Sequence, residues 1–384
     1  MTFSASCGFF LASRCFRLMK RAWVIAMAIA TASPASAASP ERERPFLFGA
    51  DVSALATYEA HGAVYRRHGA PGDALRILAD EGINCFRLRL FVAPNHEGVV
   101  TNDLAYTLAL AKRVKAAGAA LLLDLHYSDT WADPGKQFKP AAWAGLSFDE
   151  LEAKTRDYTR ATLERFVAEG VAPDYVQLGN EITNGFLWPD GRVEFKEAAD
   201  KAAWVRLGRL LRAAHAGLAD AFPRGARPAS ILQVENPGER ERSLWFCREA
   251  IAARVPFDVI GMSYYPEWHG GIGELRGTLQ AIAREFHRPV MVVETAYPWT
   301  KDEHWIGRPH LDWPLTPAGQ ARFMRDVLQI VRELPDGLGR GVFVWHPESI
   351  LADDLTTWFG GSCAWFDRRG EVLPAAGFAR ASAP

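Results

Sequence analysis

The stretch Tyr175–Arg192, YVQLGNEITNGFLWPDGR, runs through four mostly apolar residues into Asn180 and Glu181, then turns through Gly185, Trp188, Pro189 and Gly191. A short apolar run closed by glycine reads as a buried strand. A carboxylate at the exit of such a strand costs free energy unless it is satisfied or used. Seven further runs of the same kind lie around it: Phe46–Val52, Cys85–Phe91, Ala120–Leu125, Ile231–Val234, Val259–Met262, Val290–Val293 and Val342–Trp345. Between them come amphipathic segments such as Asp103–Ala117, Phe148–Glu169, Ala198–Ala219 and Pro317–Leu334, with charged residues opposite a Leu, Val and Ala stripe. Eight strands alternating with helices predict a closed α/β barrel, the (β/α)8 TIM barrel, in one domain. An open doubly wound sheet is the alternative, but FGADVSAL after the first strand holds no glycine-rich phosphate loop.

In such a barrel the chemistry sits where strands end at their carboxyl side. Asp51 follows the first strand, Arg87 and Arg89 lie on the second, and DLHYSDTWADPGKQ follows the third. Asn180 and Glu181 follow the fourth, Glu235 and Asn236 the fifth, and the last three exit into SYYPEWHGG, VVETAYPWT and VWHPES. Strand starts show no comparable enrichment, so one polar, aromatic-lined cleft is expected at one barrel face.

Glu181 and Glu294 each close an apolar run, the fourth and the seventh, and in a closed barrel these ends can face each other. Two carboxylates about 5 Å apart are what a retaining glycosidase uses, one as acid/base and the other as nucleophile. Either alone could equally be a helix cap or a solvated loop residue. Arg87 and Arg89 are two apart on a strand and so point to the same side. As buried cations they need partners among Asp51, Asp124 and the glutamate pair, and Arg87 is the candidate that stabilises the Glu294 charge. Trp131, Trp188, Trp268, Trp299 and Trp345 lie within a few residues of strand exits, where flat rings suit the C–H faces of sugars. His126 and His269 have no partner at metal-ligand spacing, which favours orientation of a carboxylate or a substrate hydroxyl. No G-x-S-x-G elbow occurs, and Cys85 within its strand reads as a small core residue.

Residues 1–37 read as a secretory signal: Arg14, Arg17, Lys20 and Arg21 precede the apolar Ala22–Ala30, and Ala35-Ser36-Ala37 suits a signal peptidase. Its long charged region leaves Met19 open as the true start. A membrane anchor is the other reading, but the apolar stretch is short for about 30 Å of hydrocarbon. Without the four basic side chains of that segment the formal charge moves from −1 to −5. A mildly acidic chain is a poor partner for nucleic acid, whose phosphates call for a basic face. Cys85, Cys247 and Cys363 then remain, too few for a disulfide framework and at no zinc spacing. Residues 38–384 are expected to form the barrel, acting as a secreted or periplasmic monomer on a polysaccharide, free of the membrane once the signal is cut.

The motifs GADVSAL, GINCFRLRLFV, DLHYSDTWADPGKQFKPAAW, VQLGNEITNGFLWPDGR, FDVIGMSYYP, MVVETAYPWT and VFVWHP resemble, in order, the strand motifs of family 53 glycoside hydrolases. The resemblance spans about Phe48 to Trp345. It implies an endo-β-1,4-galactanase that cuts galactan side chains of pectin, with Glu181 as general acid/base and Glu294 as nucleophile. It further implies that Asn180 holds the sugar 2-hydroxyl, that Arg87, His126, Tyr265 and Trp345 line the same subsite, and that Trp131, Asp133 and Trp188 belong to the cleft wall. Tyr265 matches the motif's tyrosine better than Tyr264. The chain departs from the family pattern at Phe91 and Ala93, in place of Trp and Asn, and at His346 and Ser349, in place of Glu and Trp. No cofactor is expected. Calcium binds in some bacterial relatives after the seventh strand, where this chain offers Asp302, Glu303 and Asp312, short of the six or more oxygens such a cation takes. A related barrel acting on another polysaccharide, or a binding protein on the same scaffold, are the competing readings.

Overall fold

The computed structural model describes residues 45–382 apart from 197, 198 and 226, so the segment read as a signal at 1–37 lies outside the described residues. Eight parallel strands form the barrel: β1 Leu47–Asp51, β2 Cys85–Leu90, β3 Ala120–Leu125, β4 Tyr175–Leu178, β5 Ala229–Glu235, β6 Val259–Tyr264, β7 Val290–Thr295 and β8 Gly339–Trp345. They pair in the order β1-β8-β7-β6-β5-β4-β3-β2, and β2 returns to β1, so the sheet has no edge. All eight runs expected from the sequence are strands of this barrel, with β5 and β8 starting two and three residues earlier than their apolar cores suggest.

The long helices are α1 Ala74–Asp80, α2 Leu104–Ala116, α3 Phe148–Ala168, α4 Lys201–Ala221, α5 Arg240–Ala252, α6 Ile272–Phe286 and α7 Pro317–Arg332. Their starts are set by side chains that satisfy the first free N–H groups. Asp103 accepts from Tyr106, Asp200 from Ala202 and Ala203, and Thr316 from Gly319 ahead of Pro317. Ser147 and Glu150 cap α3 reciprocally. Asp200 is the reason α4 begins at Lys201, three residues after the start expected from periodicity.

Strand alternation sorts the barrel interior into two levels. Leu47, Cys85, Leu122, Tyr175, Ile231, Val259, Met291 and Phe343 form a dry floor. Burying an aliphatic or aromatic side chain of this size contributes roughly 1.5–3 kcal/mol. Gly49 is required there, because a Cβ would stand 2.0 Å from the Phe343 ring. Two or four residues further along, on the same side of each strand, the floor gives way to Asp51, Arg87, Asp124, Gln177, Gln233 and Ser263, all buried. One fold therefore carries an apolar base and a polar upper layer at the carboxyl end. Cys85, Cys247 and Cys363 are buried free thiols.

Candidate active site

Glu294 reaches the polar layer through an irregularity in β7. Met262 pairs with Val292 but Ser263 pairs with Glu294, so Val293 is an extra residue. Val293 packs in the barrel floor, and strict alternation would turn Glu294 outward. The bulge lets both face inward. Glu294 Oε1 lies 2.8 Å from Arg87 Nη2 and accepts from Gln233 Nε2 at 3.0 Å, while Oε2 accepts from the Tyr265 hydroxyl at 3.0 Å.

Glu181 stands three residues beyond the end of β4, with φ +48°. A non-glycine residue in that left-handed region costs free energy, which surrounding contacts must offset. The Glu181 N–H donates to Gln233 Oε1 at 3.0 Å, and the Ser263 side chain acts to hold the Glu181 acid lower. Gln137 Nε2 donates to the carbonyl of Asn180 at 2.7 Å, fixing the turn from the other side. Glu181 is partly exposed to the cleft, whereas Glu294 is buried.

The two carboxyl groups are electrostatically joined. Burial, then the Glu294 carboxylate, then Glu235 push the Glu181 acid well above the ordinary range. Glu294 is also raised by burial, but Arg87 and the Gln233 amide oppose the shift. Burial and like charge thus favour a proton on Glu181, and the cation favours the ionised form of Glu294. Unequal surroundings of this kind separate an acid from a nucleophile.

Arg87 sits at the centre of the layer. It donates to Asp51 at 2.7 Å, Asp124 at 2.9 Å and Asn180 Oδ1 at 2.8 Å, in addition to its contact with Glu294. Asn180 Nδ2 donates to the carbonyl of Ala132 at 2.8 Å, which leaves one amide hydrogen for another acceptor. His126 turns Nε2 to 2.9 Å from Asp124 Oδ2, while Nδ1 accepts from the Ala132 N–H at 3.3 Å. Both its nitrogens face protein groups. Arg89 does not reach Glu294; it meets His346 Nε2 at 2.8 Å and the Val99 carbonyl at 3.0 Å.

The expected aromatic residues divide into two groups. Trp131 lies over the Arg89 guanidinium at 4.3 Å and meets Trp345 edge-on at 5.9 Å, and Trp345 is 5.5 Å from Arg87. Phe91, one of the departures from the family pattern, packs edge-on against Trp131 and His126. Trp268 is exposed and touches Tyr265. By contrast, Trp188 spends its indole N–H on its own loop, at the Asn184 carbonyl, and Trp299 on the Gly361 carbonyl in the segment after β8. Asp133 accepts from Gly135 and pairs with Lys136 at 3.1 Å, holding its own turn while its charge acts on Glu181. Tyr264 stacks on Phe323 away from the glutamates, with no partner for its hydroxyl, so Tyr265 is the tyrosine at the site.

The sequence reading did not single out Gln177, Gln233, Ser263 or Trp358. Gln177 and Gln233 interrupt the apolar runs YVQL and ILQV, a signal that buried polar groups require partners. Trp358 comes from a loop without periodicity and meets Tyr265 at 6.0 Å. Together with Tyr58, Trp131, Trp345, His346 and Thr357 it lines a cavity of about 430 Å³. Near β7, Asp302 is turned onto the backbone and ring of His304. Among the described residues no group of three or more His, Cys, Asp or Glu side chains is placed to hold a metal ion.

The profile of glycosyl hydrolase family 53 matches residues 47–378. An uncharacterized protein from Niallia circulans is 39% identical, covering 86% of this chain and 93% of that protein. An arabinogalactan endo-β-1,4-galactanase from Cellvibrio japonicus is 34% identical, covering 93% and 96%. Among solved structures, the family 53 catalytic domain of Ignisphaera aggregans superposes with a TM-score of 0.78 at 32% identity, covering 87% of this chain and 95% of that one. With the family profile running through the whole barrel and two glutamates of opposed environment at its mouth, this chain is a glycoside hydrolase and belongs to glycosyl hydrolase family 53.

Proposed function

We propose that the chain is a retaining endo-β-1,4-galactanase acting on the galactan of pectin side chains and arabinogalactan. The observation that carries the reading is the pairing of Glu181 and Glu294 through one amide, each in surroundings that suit a different protonation state. Glu294 Oε1 is engaged by Arg87 and Gln233, which leaves Oε2, with only Tyr265, for attack on the anomeric carbon. In the first step Glu181 gives its proton to the glycosidic oxygen as the Glu294–C1 bond forms and the C1–O bond breaks. In the second, Glu181 takes a proton from water, whose oxygen replaces Glu294 at C1 with net retention. The sequence of steps draws only on two carboxyl groups and water.

The remaining amide hydrogen of Asn180 suits a sugar 2-hydroxyl, and Arg87 and His126 hold the carboxylates around it in place. Tyr265, Trp345 and Trp131 supply the apolar walls, with Trp188 and Asp133 further along the cleft. The chain would act as a monomer. Residues 1–37 carry the features of a cleavable leader, so residues 38–384 would work in the periplasm or the medium. No helix among the described residues is long and apolar enough to cross a membrane.

A second reading, a related polysaccharide as substrate, is favoured by Phe91, Ala93, His346 and Ser349, which differ from the family pattern at the rim. Incubation with linear β-1,4-galactan, arabinogalactan, mannan and glucan separates the two. Galactan is expected to yield oligosaccharides with β-anomers first, seen by NMR. Products from mannan or glucan alone would overturn the assignment, and α-anomers first would overturn retention.

A further inference from the structure

The polar layer contains one side chain that touches both glutamates and belongs to neither. Gln233 is fully buried on β5, and its amide orientation is fixed by the backbone. The Glu181 N–H can only donate, so the atom 3.0 Å from it is the oxygen Oε1. Gln177 Nε2 donates to the same oxygen. Nε2 of Gln233 therefore faces the other way and has two hydrogens for two acceptors, Glu294 Oε1 at 3.0 Å and Ser263 Oγ at 2.9 Å. Because Ser263 Oγ accepts this bond, its own hydrogen is free, and the Ser263 side chain acts to hold the Glu181 acid lower.

On the reading of Glu181 and Glu294 given above, we propose that Gln233 is a positioning residue that sets the protonation pattern of both glutamates, directly at Glu294 and through Ser263 at Glu181. A donor on Glu294 Oε1 favours its ionised form. The same arrangement seats the Glu181 backbone, whose left-handed φ needs an anchor. Neither Gln233 nor Ser263 meets the substrate in this scheme.

The other charges around the pair are accounted for. Glu294 faces Arg87 from β2, Asp124 from β3, Asp51 from β1 and Tyr265 from the exit of β6. Glu181 faces Glu294, Glu235 and Asp133. His126 is turned onto Asp124, and His346 lies beyond, on Arg89. All of these stay in place when Gln233 or Ser263 is altered, so movement of a pKa in the variants reports the amide and the hydroxyl.

The test is the pH profile of kcat/KM on linear β-1,4-galactan for the wild type, Gln233→Glu and Ser263→Ala, with Tm and circular dichroism to verify the fold. The acid limb follows Glu294, which must be ionised, and the basic limb follows Glu181, which must be protonated. Gln233→Glu replaces a donor by a carboxyl group of the same shape, so the acid limb is expected to rise by at least about one pH unit. Ser263→Ala removes the hydroxyl that holds the Glu181 acid lower and leaves the Gln233 bond to Glu294, so the basic limb is expected to rise while the acid limb stays. A purely structural role would lower kcat without moving either limb. Folded, active variants with both limbs unmoved would overturn the proposal while leaving the glycosidase assignment intact. A wild type that releases nothing from galactan would overturn the assignment, and the proposal with it.

Discussion

Arg87 Nη2 stands 2.8 Å from Glu294 Oε1 with both side chains withdrawn from bulk water, and the same guanidinium holds Asp51 and Asp124. Such a cation is the neutralising centre of three carboxylates. Their attraction more than offsets its burial and drives its pKa up. Arg87→Lys keeps the charge but cannot present a planar fork to several partners. Breaking buried pairs of this type costs about 3–5 kcal/mol. The variant is expected to unfold at a clearly lower urea concentration, measured by circular dichroism, and to lose most of its turnover.

Glu294→Gln preserves the shape and the Tyr265 contact but removes the nucleophile. Turnover of galactan is expected to fall by at least about a thousandfold. Stability at neutral pH should be close to that of the wild type. Initial-rate assays paired with thermal melts check this, and full activity would take Glu294 out of the mechanism.

Glu181→Gln acts on a different step. General acid/base help is worth about 10²–10⁴ in rate. That loss is expected on galactan, whose leaving sugar needs a proton. An aryl galactoside with a good leaving group needs none in the first step, so its glycosylation rate should fall far less. The ratio of the two rates, measured in pre-steady state, is the diagnostic.

Tyr265→Phe removes the only protein donor to Glu294 Oε2 among the described residues. Burial and the two glutamates keep that hydroxyl protonated, so it is a donor at any working pH. A hydrogen bond to a charged group contributes about 1.5–3 kcal/mol. A fall in kcat of about 10- to 100-fold is expected. A change confined to KM would instead place the hydroxyl on the substrate.

Glu348 offers a prediction away from the catalytic pair. It is fully buried and accepts from the Ala54 N–H at 3.0 Å through Oε1, while burial and then Asp51 push its acid up to about 8. The folded state therefore holds this proton more tightly than the unfolded chain. Its contribution to stability is complete below the ordinary glutamate pKa and is lost as pH rises through about 8. Glu348→Gln has no proton to lose. Relative to wild type the variant should gain stability across that window, on the order of a kcal/mol or more per pH unit. Urea melts at pH 5 and pH 8 read the difference, and parallel curves would contradict it.

The fold was largely legible in the chain because a parallel barrel buries every strand, and burial on both faces writes short apolar runs separated by helical periodicity. The placement of Arg87 was legible for the same reason: two arginines at i and i+2 must share a face. Helix starts were less so, since a cap such as Asp200 stops a helix that periodicity would carry further back.

What the sequence determined by itself was the set of strands, the polar character of their exits and the two glutamates among them. Tertiary structure alone decided how those glutamates are held. Val293 as an extra residue turns Glu294 inward against the alternation of its strand, and Gln233, 52 positions from Glu181 and 61 from Glu294, joins them. Bulges and long-range amide contacts arise from how neighbouring strands register around a closed ring. Local sequence carries the residues, but the register that brings them together is a property of the whole barrel.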